Sequence, residues 1–229
     1  MTDSHTQEAI AAHFDSESRT YDYWKNKNWY YYETLRSIAR SHVVRGSSVL
    51  DVGCGTGAML EAVSPARGLG IDISPEMVAI ARQRNANRPE YRFETADITR
   101  FSTAEKFDTI LFFDVIEHVV DTRAALSGLR DALAESGSIV LSMANPLWEP
   151  ILMLGEKLGM KMPEGPHYRV PAKHLIALAK ESGLALKERE WHLLFPKYVP
   201  LVSALLNWLG RLPLLRRLCV IEVFVFEKA

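Results

Sequence analysis

Between residues 48 and 142 the chain alternates short apolar runs, rich in β-branched and aromatic residues, with segments of helical pattern, and few folds accept that order. Residues 48–52, 69–72, 91–94, 108–113 and 138–142 read as strands. Helices are expected over 57–63, over 75–84 with Ser74 as N-cap and Pro75 at the first helical position, and over 122–133 behind Asp121. Repeated βαβ units build a parallel sheet with helices on both faces, so the expectation is a doubly wound α/β fold.

The flanks read differently. Residues 1–45 form a helical, aromatic-rich lead segment, and 145–171 hold five prolines and three glycines, a composition suited to loops and short turns facing a substrate. A helix over 172–182 closed by Gly183, then strands 186–194 and 219–226, complete the pattern. No internal repeat is present, and one domain over 1–229 is expected.

Composition narrows the function. The 229 residues carry 27 Lys and Arg against 28 Asp and Glu, a net charge of −1, so no basic field gathers nucleic acid. Two cysteines, Cys54 and Cys219, make neither a disulfide framework nor a metal spacing, which suits a reducing cytoplasm. The polar residues 1–8 lack the apolar core of a secretory signal. The apolar stretch 198–225 is broken by prolines, arginines and Glu222, so it is not expected to span a bilayer.

The strongest chemical signal is Asp51-Val52-Gly53-Cys54-Gly55-Thr56-Gly57, placed where a strand turns into a helix. Glycines there permit positive φ and let a ligand approach backbone N–H groups. Gly53, Gly55 and Ala58 also satisfy the dinucleotide pattern, with Asp72 19 residues beyond Gly53, so an NAD(P)-dependent oxidoreductase is one reading. Charge argues against it, because Asp51 would repel a pyrophosphate. S-adenosylmethionine carries an ammonium and a sulfonium instead, and an acidic loop attracts both.

The loop resembles the first motif of the class I S-adenosylmethionine-dependent methyltransferases, and the likeness continues in order. Residues 70–77 resemble the second-strand motif, 95–98 the adenine segment, 107–119 the fourth-strand motif and 133–143 the fifth-strand segment. The set covers about residues 40–145, and the string Asp114-Val115-Ile116-Glu117-His118-Val119 is similar to that of quinone-precursor methyltransferases. The resemblance implies a seven-stranded, mostly parallel sheet with an antiparallel last strand. It divides the chain into a lid at 1–45, a cofactor core at 46–144 and a substrate-side part at 145–229.

The same resemblance implies roles. Gly53, Gly55 and Gly57 line the methionine part of the cofactor, Asp51 faces its ammonium, and Cys54 fills the loop as a small residue. Asp72, followed by Ile73, accepts the ribose hydroxyls; Met77 packs near the adenosine; Asp97 and the Ile98 backbone read the adenine amino edge. Asp114 and His118 face the transfer site, His118 as general base or substrate orienter. His167 and Tyr168, within 167–171, are candidate substrate contacts. No metal is implied.

Seven aromatics fall between residues 21 and 32, and Tyr21 is the first choice among them to reach the cofactor, since a ring face near a sulfonium is a cation–π arrangement. From Trp191 to Ile221 there is no acidic residue, while Lys197, Arg211, Arg216 and Arg217 stand amid apolar residues. That basic, apolar stretch predicts a lipophilic acceptor and peripheral membrane contact through 196–218. The resemblance implies methyl transfer from S-adenosylmethionine to an oxygen, nitrogen or carbon of a small molecule, releasing S-adenosylhomocysteine. A non-catalytic partner protein of the same fold is the second alternative.

Overall fold

The computed structural model describes residues 6–168 and 170–229. Three helices lead: α1 (Gln7–Glu17), α2 (Tyr21–Lys27) and α3 (Trp29–His42). The core then runs β1 (Ser48–Val52), α4 (Ala58–Val63), β2 (Arg67–Asp72), α5 (Pro75–Arg84), β3 (Tyr91–Thr95), β4 (Phe107–Phe113), α6 (Thr122–Ala132) and β5 (Leu133–Ala144). It closes with α7 (Glu149–Lys157), α8 (Ala172–Glu181), β6 (Leu184–His192), α9 (Val202–Leu209) and β7 (Ile221–Lys228).

The seven strands lie in the order β3-β2-β1-β4-β5-β7-β6, and β7 alone runs antiparallel to its neighbours. Strand residues alternate between two apolar layers. Leu50, Ile110, Ile139 and Phe224 pack against α6 and α8, while Val49, Leu111, Val140 and Val223 pack against α3, α4 and α5. Both faces are covered, which explains why the central strands are apolar throughout. The strand order reverses between β1 and β4, and a doubly wound sheet opens its ligand crevice at the carboxyl ends of such strands.

Local signals act as expected. The Ser74 hydroxyl accepts from Met77 N with Pro75 in the first turn of α5, Asp121 caps α6 through Ala124 N, and Gly183 follows α8 at φ +78°. The expectation of loops over 145–171 is corrected, because residues 149–157 are helical. Pro150 stands in the first turn, where a missing N–H costs nothing, the helix accommodates Gly155, and Gly159 at φ +63° follows its end.

Candidate active site

The glycine loop needs its glycines. Gly53 and Gly55 have φ of +69° and +51°, and a Cβ on Gly55 would meet the Tyr21 ring at 2.8 Å. This loop, the ends of β2 and β4, and the lead helices enclose a cavity of about 480 Å³, in the range of small-molecule sites. Among the expected residues Asp51, Gly53, Cys54, Gly55, Asp72, Ile73, Met77, Asp97, Ile98, Asp114, His118 and Tyr21 line it.

Three expected contacts lie elsewhere. The Cα of Gly57 faces Asn85 and the Phe93 ring beneath the loop, so its positive φ serves the turn. The Tyr168 hydroxyl donates to the Val119 carbonyl and its N–H to Glu117 O, which holds the loop at 167–168 to the turn after β4. His167 bonds Gly165 O through Nδ1 at 2.9 Å and faces Glu164 and Glu149 at 3.1 and 3.4 Å. Its ring centroid stands 6.3 Å from that of His118, one layer behind the cavity wall. Arg169, in the same string, lies outside the described residues. Among the described residues the ligand-type atoms of Glu149, Glu164 and His167 fall within 4.8 Å of one another, a grouping the sequence did not suggest.

Asp51 and Asp72, both buried, and the half-buried Asp114 turn their carboxyls toward the cavity. Asp72 takes Gly55 N on Oδ2 at 2.8 Å and Ser74 N on Oδ1 at 2.9 Å, and each oxygen keeps a lone pair for a further donor. Asp114 adopts φ +54°, rare for a residue with a Cβ, and is held there by Ser142 Oγ at 2.7 Å and Tyr31 Oη at 2.8 Å. Asp51 Oδ2 is buried without a hydrogen-bond partner. Burial raises the carboxyl pKa of all three, that of Asp51 to about 7.

The Lys25 ammonium lies over the Tyr21 ring at 4.3 Å and the Tyr32 ring at 5.2 Å, and its charge offsets part of the burial cost at all three carboxyls. Sequence reading missed Lys25. The available signal was a cation set among seven aromatics, on the same helix as Tyr21. Of those aromatics Trp24, Tyr31 and Tyr32 reach the cavity beside Tyr21, while Tyr23 and Trp29 are exposed.

The lid is fastened to the loops it covers. Gln7 donates to Asp97 at 2.9 Å, Ser74 Oγ donates to Asp15, and the Asp22 carboxylate accepts from Thr56 Oγ1 at 2.8 Å while pairing with Arg84. His118 is half-buried against the edge of Phe14, with ring centroids 5.1 Å apart. Burial depresses its pKa to about 4. Its Nδ1 lies 2.8 Å from the Pro166 carbonyl, which can only accept, so Nδ1 bears the proton and Nε2 is the basic atom.

Comparison with known proteins identifies the family and the fold. A family model described as a methyltransferase domain matches residues 23–188. A ubiquinone biosynthesis O-methyltransferase from Xanthomonas euvesicatoria pv. vesicatoria is 29% identical over 165 residues, covering 67% of this chain and 69% of that protein. A chain from the complex between the Haloferax volcanii Trm112 methyltransferase activator and a putative methyltransferase superposes with a TM-score of 0.73 at 18% identity, covering 96% of this chain and 97% of that one. Magnesium protoporphyrin IX methyltransferase of Synechocystis PCC 6803, solved with bound S-adenosylhomocysteine, gives 0.67 at 18% identity over 98% and 100%. At these identities the structural likeness bears on the fold alone.

Proposed function

The chain belongs to the class I S-adenosylmethionine-dependent methyltransferases, and on that premise we propose that it methylates a hydroxyl oxygen of a small lipophilic acceptor, using the whole chain as one catalytic unit. The carrying observation is that the carboxyls of Asp51, Asp72 and Asp114 converge under an aromatic lid, with one buried oxygen of Asp51 left without a hydrogen-bond partner. A cationic cofactor fits such a site and a pyrophosphate does not, which sets aside the oxidoreductase reading.

When bound, S-adenosylmethionine supplies a methyl group on a positively charged sulfur, already activated for displacement. Asp51 would hold the amino group through Oδ2, and Lys25, whose charge acts on all three carboxyls, would pair with the carboxylate of the same amino-acid moiety. The remaining lone pairs of Asp72 take the ribose hydroxyls, and Asp97 with the Ile98 backbone holds the adenine edge. Tyr21 and Trp24 exclude water. His118 Nε2 would accept the proton of the acceptor hydroxyl as that oxygen becomes the nucleophile, acting as a general base without releasing a free oxyanion. Much of the rate comes from alignment and dryness, which the fastened lid provides.

The oxygen acceptor is supported by the O-methyltransferase relatives and by a His118 whose pKa burial holds low. The lipophilic character is supported by the apolar wall that Ile151, Leu154, Leu158 and Met162 give the cavity. Calorimetric titration with S-adenosylmethionine and S-adenosylhomocysteine, with NAD and NADP as controls, tests the cofactor. A phenol and amine panel scored by S-adenosylhomocysteine release tests the acceptor. Saturable binding of the first pair alone and turnover of phenols are expected, and turnover of amines alone would sink the oxygen assignment.

A further inference from the structure

We propose that α7, α9 and the corner between α2 and α3 form one surface that docks onto an anionic lipid bilayer, with the mouth of the cavity turned toward the lipid. The role of that mouth rests on the methyl-transfer reading above; the docking itself does not.

The exposed large apolar side chains are unevenly distributed. Among the described residues all but Val44, Val120 and Leu186 lie in the corner 23–29, in 147–160 or in 198–218. Leu201 and Leu214 are 86% and 90% exposed, and Leu205 and Trp208 stand on the outer side of α9 at more than half exposure. Soluble monomers scatter such residues singly, and a contiguous set marks a surface that meets something apolar.

The three segments are one surface because Asn28 joins them. Its side chain donates to Met160 O at 3.2 Å and accepts from Lys197 Nζ at 2.7 Å, while the Tyr198 ring packs 5.3 Å from Trp29 and 5.6 Å from Tyr30. Lys27 donates to Gly159 O at 2.6 Å, and Trp148 Nε1 to Leu218 O at 2.7 Å, closing the ring of segments. Ile151, Leu154 and Leu158 belong to it twice, lining the cavity while more than half exposed. The mouth of the site and the apolar face therefore share residues.

Charge selects the occupant. No acid occurs from 191 to 221, whereas Arg211, Arg216 and Arg217 are exposed around α9, and among the described residues neither Arg211 nor Arg217 pairs with a carboxylate. The acids of α7 are engaged, Glu149 with His167 and Glu156 with Lys161. A second copy docking through this patch would set arginines against arginines, since a two-fold contact meets itself. A bilayer with anionic headgroups offers what the face lacks, negative charge at the level of the arginines and hydrocarbon beneath them.

The test is sedimentation of the full chain with phosphatidylglycerol/phosphatidylcholine vesicles and with phosphatidylcholine alone at low salt, beside sedimentation velocity without lipid. Leu205→Asp/Trp208→Asp and Arg211→Glu/Arg217→Glu are the variants, and calorimetry with S-adenosylhomocysteine reports whether each is folded. The wild type is expected to pellet with anionic vesicles, with partition at least tenfold lower for neutral vesicles and for each double variant, while S-adenosylhomocysteine affinity stays within twofold. Wild type left in the supernatant with anionic vesicles, or unchanged binding by either variant, overturns the docking face; a concentration-dependent dimer that ignores vesicles overturns it in favour of self-association. The two readings fail separately, because a wild type that pellets yet shows no saturable S-adenosylhomocysteine binding overturns only the methyl-transfer reading.

Discussion

The hydroxyl of Tyr31 donates to Oδ2 of Asp114 at 2.8 Å, joining lid helix α3 to the strained residue that follows β4. Because Ser142 holds the other oxygen, the carboxylate is satisfied only while the lid is down. Cofactor cavity and lid are thus one hydrogen-bonded unit. Tyr31→Phe is expected to leave a buried carboxylate oxygen short of a donor and to destabilise the fold by about 1–3 kcal/mol. Urea unfolding of the cofactor-free protein measures the loss, and S-adenosylhomocysteine affinity should fall with it; Tyr31→Phe as stable as wild type would show that the bond carries no weight.

Asp51 gives a pH dependence with a definite sign. Its folded pKa, about 7, lies above the unfolded carboxylate value, so the native state holds more protons and the cofactor-free protein loses stability as pH rises from about 4 to 7. Binding of a cation runs the other way. Affinity for S-adenosylmethionine should rise with pH up to about 7, by at most about tenfold per unit, and level off above. Asp51→Asn is expected to bind more weakly and to flatten both profiles, as thermal melts and calorimetry between pH 5 and 8 would register.

His118 titrates in the opposite sense. Its pKa of about 4 lies below the unfolded value, so the stability it confers is complete above about pH 6.5 and drains away as the pH falls toward 4. Replacement by Gln should lower kcat about 10²–10⁴-fold while S-adenosylhomocysteine affinity stays within a few-fold. Equal kcat in His118→Gln and wild type, with an acceptor that must lose a proton, would remove it from the chemistry.

Gly55 tests the contact between loop and lid. An added Cβ meets the Tyr21 ring at 2.8 Å in a backbone of positive φ, so Gly55→Ala should lift α2 and weaken S-adenosylhomocysteine binding at least tenfold. Tyr21→Ala in the same chain relieves the clash and leaves the φ penalty. Partial recovery of affinity in the double variant is the expected outcome, and further loss would place the damage in the loop alone.

Much of this was legible in the sequence because it is local. The period of the apolar runs fixes strand and helix, Ser74-Pro75 and Asp121 announce helix starts, and glycines beside Asp51 mark a turn facing a cation, all within a few residues of chain. Asp51, Asp72, Asp97 and Asp114 reach one cavity because each follows or ends a strand whose carboxyl edge the topology gathers there.

What the sequence could not decide depends on partners far along the chain. A helix over 149–157 was hidden by a proline-rich average, since proline breaks a helix inside and not in its first turn. Gly57, His167 and Tyr168 have the right residue types, yet their neighbours turn them to structural work: Phe93 under Gly57, the Val119 carbonyl before Tyr168, two glutamates around His167. Lys25 acquired its place only when α2 folded over three carboxyls that burial had left short of positive charge. Pattern sets which way a side chain faces along its own element, whereas the dielectric around it and the atoms it meets belong to the packed tertiary structure.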